Sequence, residues 1–383
     1  MTETSSLTET EWLVDPAIAY LNHGGYGALP VLVAEAAARL RSEVEANPTD
    51  LLARQWQERL DGVRRRVADL LGARSDELVF VPNATTGTAT VLASYPFNSG
   101  DVVVTTDHRY PSVANQTRAL LDRRGVENVE VALPLDLACP DDIVATVMSA
   151  ITPRTRLLVV DHIASPTGFV FPVQALVKAA HDAGVAVLVD AAHAPGQVEV
   201  DLAAIEADFW VGNLHKWVCS PRAAAVMRVA PQWQQDIQPL VPSHHYGEGY
   251  RPAFDWTGTL DPVPLLAIPA ALDFWSALGW ERVRVHQHEL ASTGAGQVAA
   301  RLGTRVPIAD EMTAAMRLIE LPVRLDQSAS QDLTGRLTTR HGVTAPVTSH
   351  QQRSYVRVCG QLYNRPRDYE LLGDALVAEL GTG

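Results

Sequence analysis

"VGNLHKWVCS", residues 211–220, sets a single lysine inside an apolar run. Lysine is rarely buried without a partner. Two readings of Lys216 are open. Its ammonium snorkels to water along an apolar stem, or its amine does chemistry that needs the neutral form. The surroundings decide between them. "DFWVG" (208–212), which leads into the lysine, has the length and composition of a buried strand, and so has "VAVLVD" (185–190) before it. Working outward, apolar runs of strand length alternate with helix-period segments. "ELVFVP" (77–82) precedes a helical "TGTATVLASY", and "DVVVTT" (101–106) precedes "PSVANQTRALLDRRG" with its glycine stop. "RLLVVD" (156–161) precedes "PVQALVKAAHDAG", and "AAAVMRV" (223–229) follows the lysine. Short apolar strands between amphipathic helices predict an α/β fold with a mostly parallel central sheet, covered on both faces.

Helical stretches near 29–46 and 56–71 stand in front of this core. Beyond 262 the pattern changes to a long helical region (262–302), a strand-like "MRLIELPV" (316–323), a helix, "YVRV" (355–358) and a final helix over 367–380. The expected division is an N-terminal segment, 1–25, a large α/β domain, 26–261, and a smaller α+β C-terminal domain, 262–383. The chain of 383 residues carries a net charge of −13, from 31 basic and 44 acidic residues. Without a basic cluster, this argues against nucleic acid and an anionic membrane surface as partners. No apolar run reaches the roughly 18 residues of a membrane span. "MTETSSLTETEW" lacks the basic and apolar regions of a secretory signal. The three cysteines, Cys139, Cys219 and Cys359, are scattered and form neither a disulfide framework nor a zinc cluster. Together these features predict a reducing, cytoplasmic location and no metal.

In open α/β sheets, ligands bind at the C-terminal ends of the strands. After "ELVFVP" comes "NATTGT" (83–88), opening a helix whose free amides and hydroxyls make a phosphate site. The plainer reading is an N-cap by Thr85 or Thr86. After "DVVVTT" comes "DHRYPS" (107–112), with His108 and Tyr110. Asp190 ends a strand and His193 follows it. Lys216 follows the next strand. A phosphate site, an aromatic, a carboxylate and a lysine suit pyridoxal phosphate, which needs a lysine amine for a Schiff base and an acid beside its ring nitrogen. Its ring face favours a stacked aromatic. No G-x-G-x-x-G follows the first strand and no phosphate-binding G-x-x-x-x-G-K-[ST] occurs. The chemical reading of Lys216 therefore prevails.

Several motifs in one order carry a resemblance: "YLNHGGYGALP" (20–30), "NPTDLLARQ" (47–55), "VDAAHAPGQVEVDL" (189–202), "GNLHKW" (212–217), "FDWTGTLDP" (254–262) and "YVRVCGQLYN" (355–364). The chain resembles fold-type I pyridoxal-phosphate enzymes of the class V aminotransferase group, in the isopenicillin N epimerase-like branch, over nearly its whole length. The resemblance implies that Lys216 holds the cofactor and moves protons at the substrate Cα. Asp190 would pair with the ring nitrogen, and His193, where many relatives have glutamine, would contact the ring hydroxyl. The plainer alternative for His193 is a satisfied core histidine. Ala84 and Thr85, with Thr86 as a weaker candidate, would hold the phosphate, joined by Asn213 and His215. Tyr110 would stack on the ring, with His108 competing for that place. Gly258 and Thr259 would reach the phosphate of a neighbouring subunit, which implies a homodimer. Arg357 would grip the α-carboxylate of a small amino-acid substrate in a bidentate pair. Asn22 and its glycine-rich loop would close over that carboxylate, so the N-terminal segment would pack at the active site.

The resemblance leaves the reaction open. Cysteine desulfurase is set aside, because residues 326–354 hold no cysteine and Cys359 follows the arginine inside its strand. Amino-acid epimerisation leads by resemblance. It needs a second acid/base opposite Lys216, for which Tyr26, His108 and Tyr110 are the candidates. The alternative is β-elimination by a carbon–sulfur lyase from a cysteine-derived substrate, which needs only Lys216 and a leaving group. Transamination ranks behind both. Two readings of other classes are a catalytically silent scaffold, against which Lys216, Asp190 and Arg357 speak, and a metal hydrolase using His193, His215 and His244–His245, which lacks a helical ligand pair. "SHHYGEGYR" (243–251), with Arg251, hints at a polar or acidic substrate side chain. Arg54 reads as a surface ion pair.

Overall fold

The computed structural model describes Leu7 and residues 10–381. Residues 1–6, 8 and 9, where most of the polar leader reading falls, lie outside the described residues, as do 382 and 383. β1 (Ala19–Tyr20) is a two-residue strand. The main sheet is built from β2 (Leu78–Val81), β3 (Val102–Thr106), β4 (Glu127–Val131), β5 (Thr155–Asp161), β6 (Ala186–Asp190), β7 (Phe209–Asn213) and β8 (Ala225–Val229). Its order is β2-β8-β7-β6-β5-β3-β4. Only β8 runs against its neighbours, so the other six strands aim their C-terminal ends at one edge.

Side chains alternate across a strand, and here the alternate residues fill two separate cores. Val104, Leu158, Val160, Val187, Val189 and Trp210 belong to one, packed with the helix Trp56–Leu71. Val103, Leu157, Val159, Leu188, Phe209 and Val211 belong to the other, with the helix Ala84–Ser94. Burying each such side chain stabilises the fold by about 1.5–3 kcal/mol relative to exposure. The expected α/β fold with a mostly parallel sheet is what forms. β4 adds a strand that the sequence pattern does not announce, because "ENVEV" is an edge strand with mostly uncovered polar side chains and so shows no apolar run.

Further along come β9 (Met316–Glu320), β10 (Val343–Thr344), β11 (Val347–His350) and β12 (Arg353–Cys359). β11, β12 and β9 form an antiparallel sheet, and β1 pairs in parallel with β10. A smaller core gathers these strands with the helices Gln327–His341 and Pro366–Leu380, and Ala19 and Leu21 join it. The long helical region divides into Val263–Leu266, Ile268–Leu278 and Trp280–Leu302. The stretch Val263–Leu278 and the helix Trp280–Leu302 meet at 79°. Val263–Trp275 contribute to the large core, whereas Ala295–Leu302 contribute to the small one. No single helix among the described residues is long and apolar enough to cross a membrane.

Candidate active site

The parallel strand ends set out the site residues: Asn83–Thr86 after β2, Tyr110 after β3, Ser165 after β5, Asp190 and His193 at β6, and Asn213 with Lys216 at β7. Close packing brings the helix start into place. A Cβ on Gly87 would lie 2.5 Å from Val211 Cγ1, so only glycine lets the helix Ala84–Ser94 press onto β7 beside Asn213.

The amine of Lys216 lies 3.0 Å from Nε2 of His193. Burial, helped by the Arg357 guanidinium, lowers its pKa to about 8, against the opposing pull of Asp190 and Cys359. A base so tuned is within reach of the neutral form at physiological pH. His193 is fully buried. Burial, and behind it the charge of Lys216, holds its pKa well below the ordinary histidine value, so the imidazole is neutral. The indole N–H of Trp217 donates to its Nδ1 at 3.3 Å. An indole nitrogen is only a donor, so Nδ1 accepts and the single ring proton sits on Nε2, facing Lys216.

That assignment has a measurable consequence. In Trp217→Phe the donor is gone and His193 can exchange tautomers. Losing one such hydrogen bond is worth about 1 kcal/mol, or roughly fivefold in kcat/KM. The sharper readout is the pH titration of the bound cofactor's visible absorption, whose midpoint is expected to move. A midpoint equal to that of wild type would mean that Trp217 only fills space.

Asp190 is buried at the end of β6 and accepts the Ala192 N–H at 3.0 Å. Burial raises its pKa, while the Ala192 amide and Lys216 pull it down. Its register partner on β5 is Asp161, also buried, whose carboxyl is pushed well up by burial and by Asp190. Arg357, on β12, donates from Nη2 to Asn22 Oδ1 at 2.8 Å and from Nη1 to the Ser165 carbonyl, while its buried Nε has no partner. Asn22 and Arg357, implied as a pair by resemblance, are therefore in contact across the length of the chain.

The N-terminal segment passes under the lysine. A Cβ on Gly27, which has φ of +70°, would lie 2.1 Å from the His215 carbonyl oxygen. His23 is fully buried, with Nε2 3.1 Å from the Lys216 carbonyl oxygen and Nδ1 3.0 Å from the Tyr363 hydroxyl. Burial lowers its pKa to about 3. Cys359 Sγ accepts the Gly24 N–H at 3.4 Å. His23, Ser165, Trp217, Cys359 and Tyr363 were not among the sequence candidates. "NHGGYG" carries the signal for His23, since a histidine beside glycines in that motif is as unusual as Asn22 before it.

At the phosphate end, three expectations change. The helix is capped by Asn83, in extended backbone, rather than by Thr85 or Thr86. The Thr86 N–H and hydroxyl both donate to Asn83 Oδ1, at 2.8 Å and 3.1 Å, which removes Thr86 from the donor set. The Ala84 N–H donates to Asn213 Oδ1 at 2.8 Å, so Ala84 is also occupied. The Thr85 amide and the Asn213 side-chain NH2 have no acceptor among the described residues. His215 is held by Nδ1, 2.9 Å from the Ala224 carbonyl, which leaves Nε2 free.

Other candidates lie apart or are engaged. Tyr110 caps the helix Pro111–Gln116 and is 43% exposed. His108 is fully buried, and its Nδ1 and Nε2 each lie 2.9 Å from a partner, Thr167 Oγ1 and the Leu133 carbonyl oxygen. Fully buried with Phe169, Phe171 and His350 packed around its ring, it is open neither to a stacked ring nor to a substrate Cα, which corrects the reading of His108 for either role. Tyr26 is 68% exposed. Gly258 and Thr259 stand on an outward loop, with nothing near a Cβ added at Gly258. Arg54 pairs with Asp50, and Arg251 pairs with Asp61. His193 and His215 do not gather with His244 and His245 into a ligand cluster, so the metal-hydrolase set is not assembled.

Pyridoxal phosphate fits this donor set. Asp190 offers a buried carboxylate for a ring nitrogen, His193 a fixed N–H for a ring hydroxyl, Lys216 an amine of lowered basicity, and Thr85, Asn213 and His215 free donors for a phosphate. The sequence profile of the family Aminotransferase class-V matches residues 19–358. The chain belongs to the class V aminotransferase family. Membership makes it a pyridoxal-phosphate enzyme, as the residues at the strand ends implied. Among curated relatives, an isopenicillin N epimerase of Amycolatopsis lactamdurans is 31% identical over 95% of this chain and 95% of its own. A putative L-cysteine desulfhydrase of Oryza sativa subsp. japonica is 32% identical over 94% of this chain and 83% of its own. The fold is that of a cystine C–S lyase solved with cysteine persulfide, with a TM-score of 0.81 at 19% identity over 94% of this chain and 97% of that one. A cysteine desulfurase of Thermococcus onnurineus matches with a TM-score of 0.81 at 20% identity, over 100% of this chain and 98% of that one.

Proposed function

We propose that this class V enzyme removes the α-proton of a cysteine-derived amino acid and completes a β-elimination of its sulfur substituent. The observation that carries the reading is the single base, Lys216, held at 3.0 Å from His193 with the Arg357–Asn22 pair close by. Arg357 grips the substrate α-carboxylate with its planar fork, and Asn22 fixes the guanidinium from behind. Asp190 keeps a negative charge beside the ring nitrogen. His193 would offer its Nε2 proton to the ring hydroxyl of bound pyridoxal phosphate. Bound pyridoxal phosphate supplies the electron sink for the carbon that loses its proton. Lys216 takes the proton from Cα and delivers it to the departing sulfur as the Cβ–S bond breaks. With water, the products are the thiol, pyruvate and ammonia.

Supporting the lyase reading, the L-cysteine desulfhydrase relatives span nearly this whole chain, and elimination asks for no second acid/base. Epimerisation is the second reading, favoured by end-to-end similarity to the Amycolatopsis enzyme. It would need Tyr26 or Tyr110 on the far face, His108 being engaged. We further propose a homodimer in which Gly258 and Thr259, on their outward loop, reach a neighbouring subunit's phosphate. A cytoplasmic location suits the unpaired thiols of Cys219 and Cys359.

Incubating the holoenzyme with L-cysteine, S-substituted cysteines and an amino-acid panel in deuterated water separates the readings. The expected result is pyruvate in equal amount to the released thiol. A D,L mixture of returned, α-deuterated amino acid without pyruvate would instead make it an epimerase.

A further inference from the structure

A cluster outside the active site has the chemistry of a metal site. Asp107 and His108 follow β3, and His350 ends β11, at the tip of the β11–β12 hairpin. One ligand-type atom from each lies within 4.8 Å of the others. Asp107 sits between the two rings: Oδ1 is 3.9 Å from His108 Nε2, and Oδ2 is 3.8 Å from His350 Nε2. The rings are 4.6 Å apart between centroids. His350 is 7% exposed. Its Nε2, aimed at the carboxylate, has no hydrogen-bond partner. A buried polar atom left unpaired is costly, and this one faces the Asp107 carboxylate.

We propose that Asp107, His108 and His350 bind a divalent cation of the zinc type, which pins the hairpin of the small sheet to the end of β3. Two imidazoles and a carboxylate suit zinc and its borderline neighbours rather than magnesium or calcium. Zinc bonds of about 2.1 Å set tetrahedral ligands about 3.4 Å apart, so the three ligand atoms, which lie within 4.8 Å of one another, have to close by up to roughly 1.4 Å. The hydrogen bonds have to rearrange, since Asp107 Oδ1 holds the Leu133 N–H at 3.0 Å and Oδ2 holds the Gln351 amide at 2.9 Å. His108 gives up its Nε2 proton and carries one on Nδ1, donated to Thr167 Oγ1, 2.9 Å away. A ligand histidine is usually oriented in this way by its other nitrogen. The Leu133 carbonyl, which loses His108, keeps the Gln351 amide at 3.0 Å. Asp107 is partly exposed, which gives water access to the fourth position.

The hairpin is already poised there. Gln351 and Gln352 have φ of +47° and +62°, the two left-handed residues of a two-residue turn. Gln351 reaches over the gap to donate to Asp107 Oδ2 at 2.9 Å. A cation at this point would tie the hairpin leading into the strand that bears Arg357 to the loop that bears Tyr110.

The test uses untagged holoenzyme, dialysed against a chelator and titrated with zinc in competition with a chelating dye. Wild type is expected to bind one zinc per chain. Both Asp107→Asn and His350→Gln are expected to bind at least about tenfold more weakly, since loss of even an outer-shell partner costs that much. The cofactor's visible band, retained in both variants, checks that they fold. Amide exchange over residues 347–353 should slow with zinc in wild type alone. No zinc bound by wild type, or an unchanged affinity in either folded variant, would overturn the proposal.

Discussion

Lys216→Ala is expected to lower turnover by about 100- to 10,000-fold, the range that a positioned proton-transfer group supplies, and to abolish borohydride-fixed attachment of the cofactor to the chain. The cause is local. No other lysine can take its place beside His193, since Lys178, the only other one in the sequence, stands on the helix Val173–Asp182 paired with Asp182. Exogenous small amines should restore part of the proton transfer but not the covalent attachment. In cofactor-free wild type, a small carbonyl reagent should capture the Lys216 amine at a rate that rises through about pH 8, where burial and Arg357 place its titration, rather than near the ordinary 10.5. Mass spectrometry of the reduced protein reads the site of capture. An unchanged cofactor attachment in the alanine variant would remove Lys216 from the mechanism.

What the sequence disclosed follows from the range of the forces involved. The parallel sheet was legible because its strands are buried on both faces and read as continuous apolar runs. β4 was not, because its side chains face solvent at the edge. Lys216 and Asp190 stand out as candidates because each breaks an apolar run at the strand end where ligands bind. The candidate phosphate donors can be read only as a group. Which amide is free depends on whether Asn83 and Asn213 turn their side-chain oxygens inward, and nothing in "NATTGT" says that Asn213 will take the Ala84 N–H. The Trp217 donor was hidden for a similar reason: a tryptophan after the lysine reads as core until His193 is seen against its indole. His108 illustrates the opposite error. Its place after a strand resembled a site residue, yet Phe169 and Phe171 wall it in and both its nitrogens are bonded. His350 comes to it only through the hairpin, from 242 positions further along the chain, a distance that no local pattern spans.

Arg357→Lys carries the second large effect. The guanidinium does two jobs at once, with Nη2 on Asn22 and Nη1 on the Ser165 carbonyl. It is this double hold that fixes the plane of the fork. A lysine ammonium is a point charge on a flexible stem and cannot satisfy both partners and a carboxylate in one plane. Positive charge is retained, so the site stays attractive to an anion, but bidentate geometry is lost. Truncating one partner of a buried, charge-assisted pair costs about 2–5 kcal/mol. At about 1.4 kcal/mol per decade, kcat/KM for amino acids should fall roughly 30-fold or more. The loss should be small for amines that lack a carboxylate, because they never used the fork. It should be equal for elimination and epimerisation, because both begin by seating the same carboxylate. Asn22→Ala should reproduce part of the fall, since it frees the guanidinium to rotate without removing it. An Arg357→Lys enzyme with wild-type kcat/KM on its amino acid would place the carboxylate elsewhere. Arg54 and Arg251 are poor substitutes within the chain, because Asp50 and Asp61 already hold them, so such a result would point to an arginine contributed by a second copy.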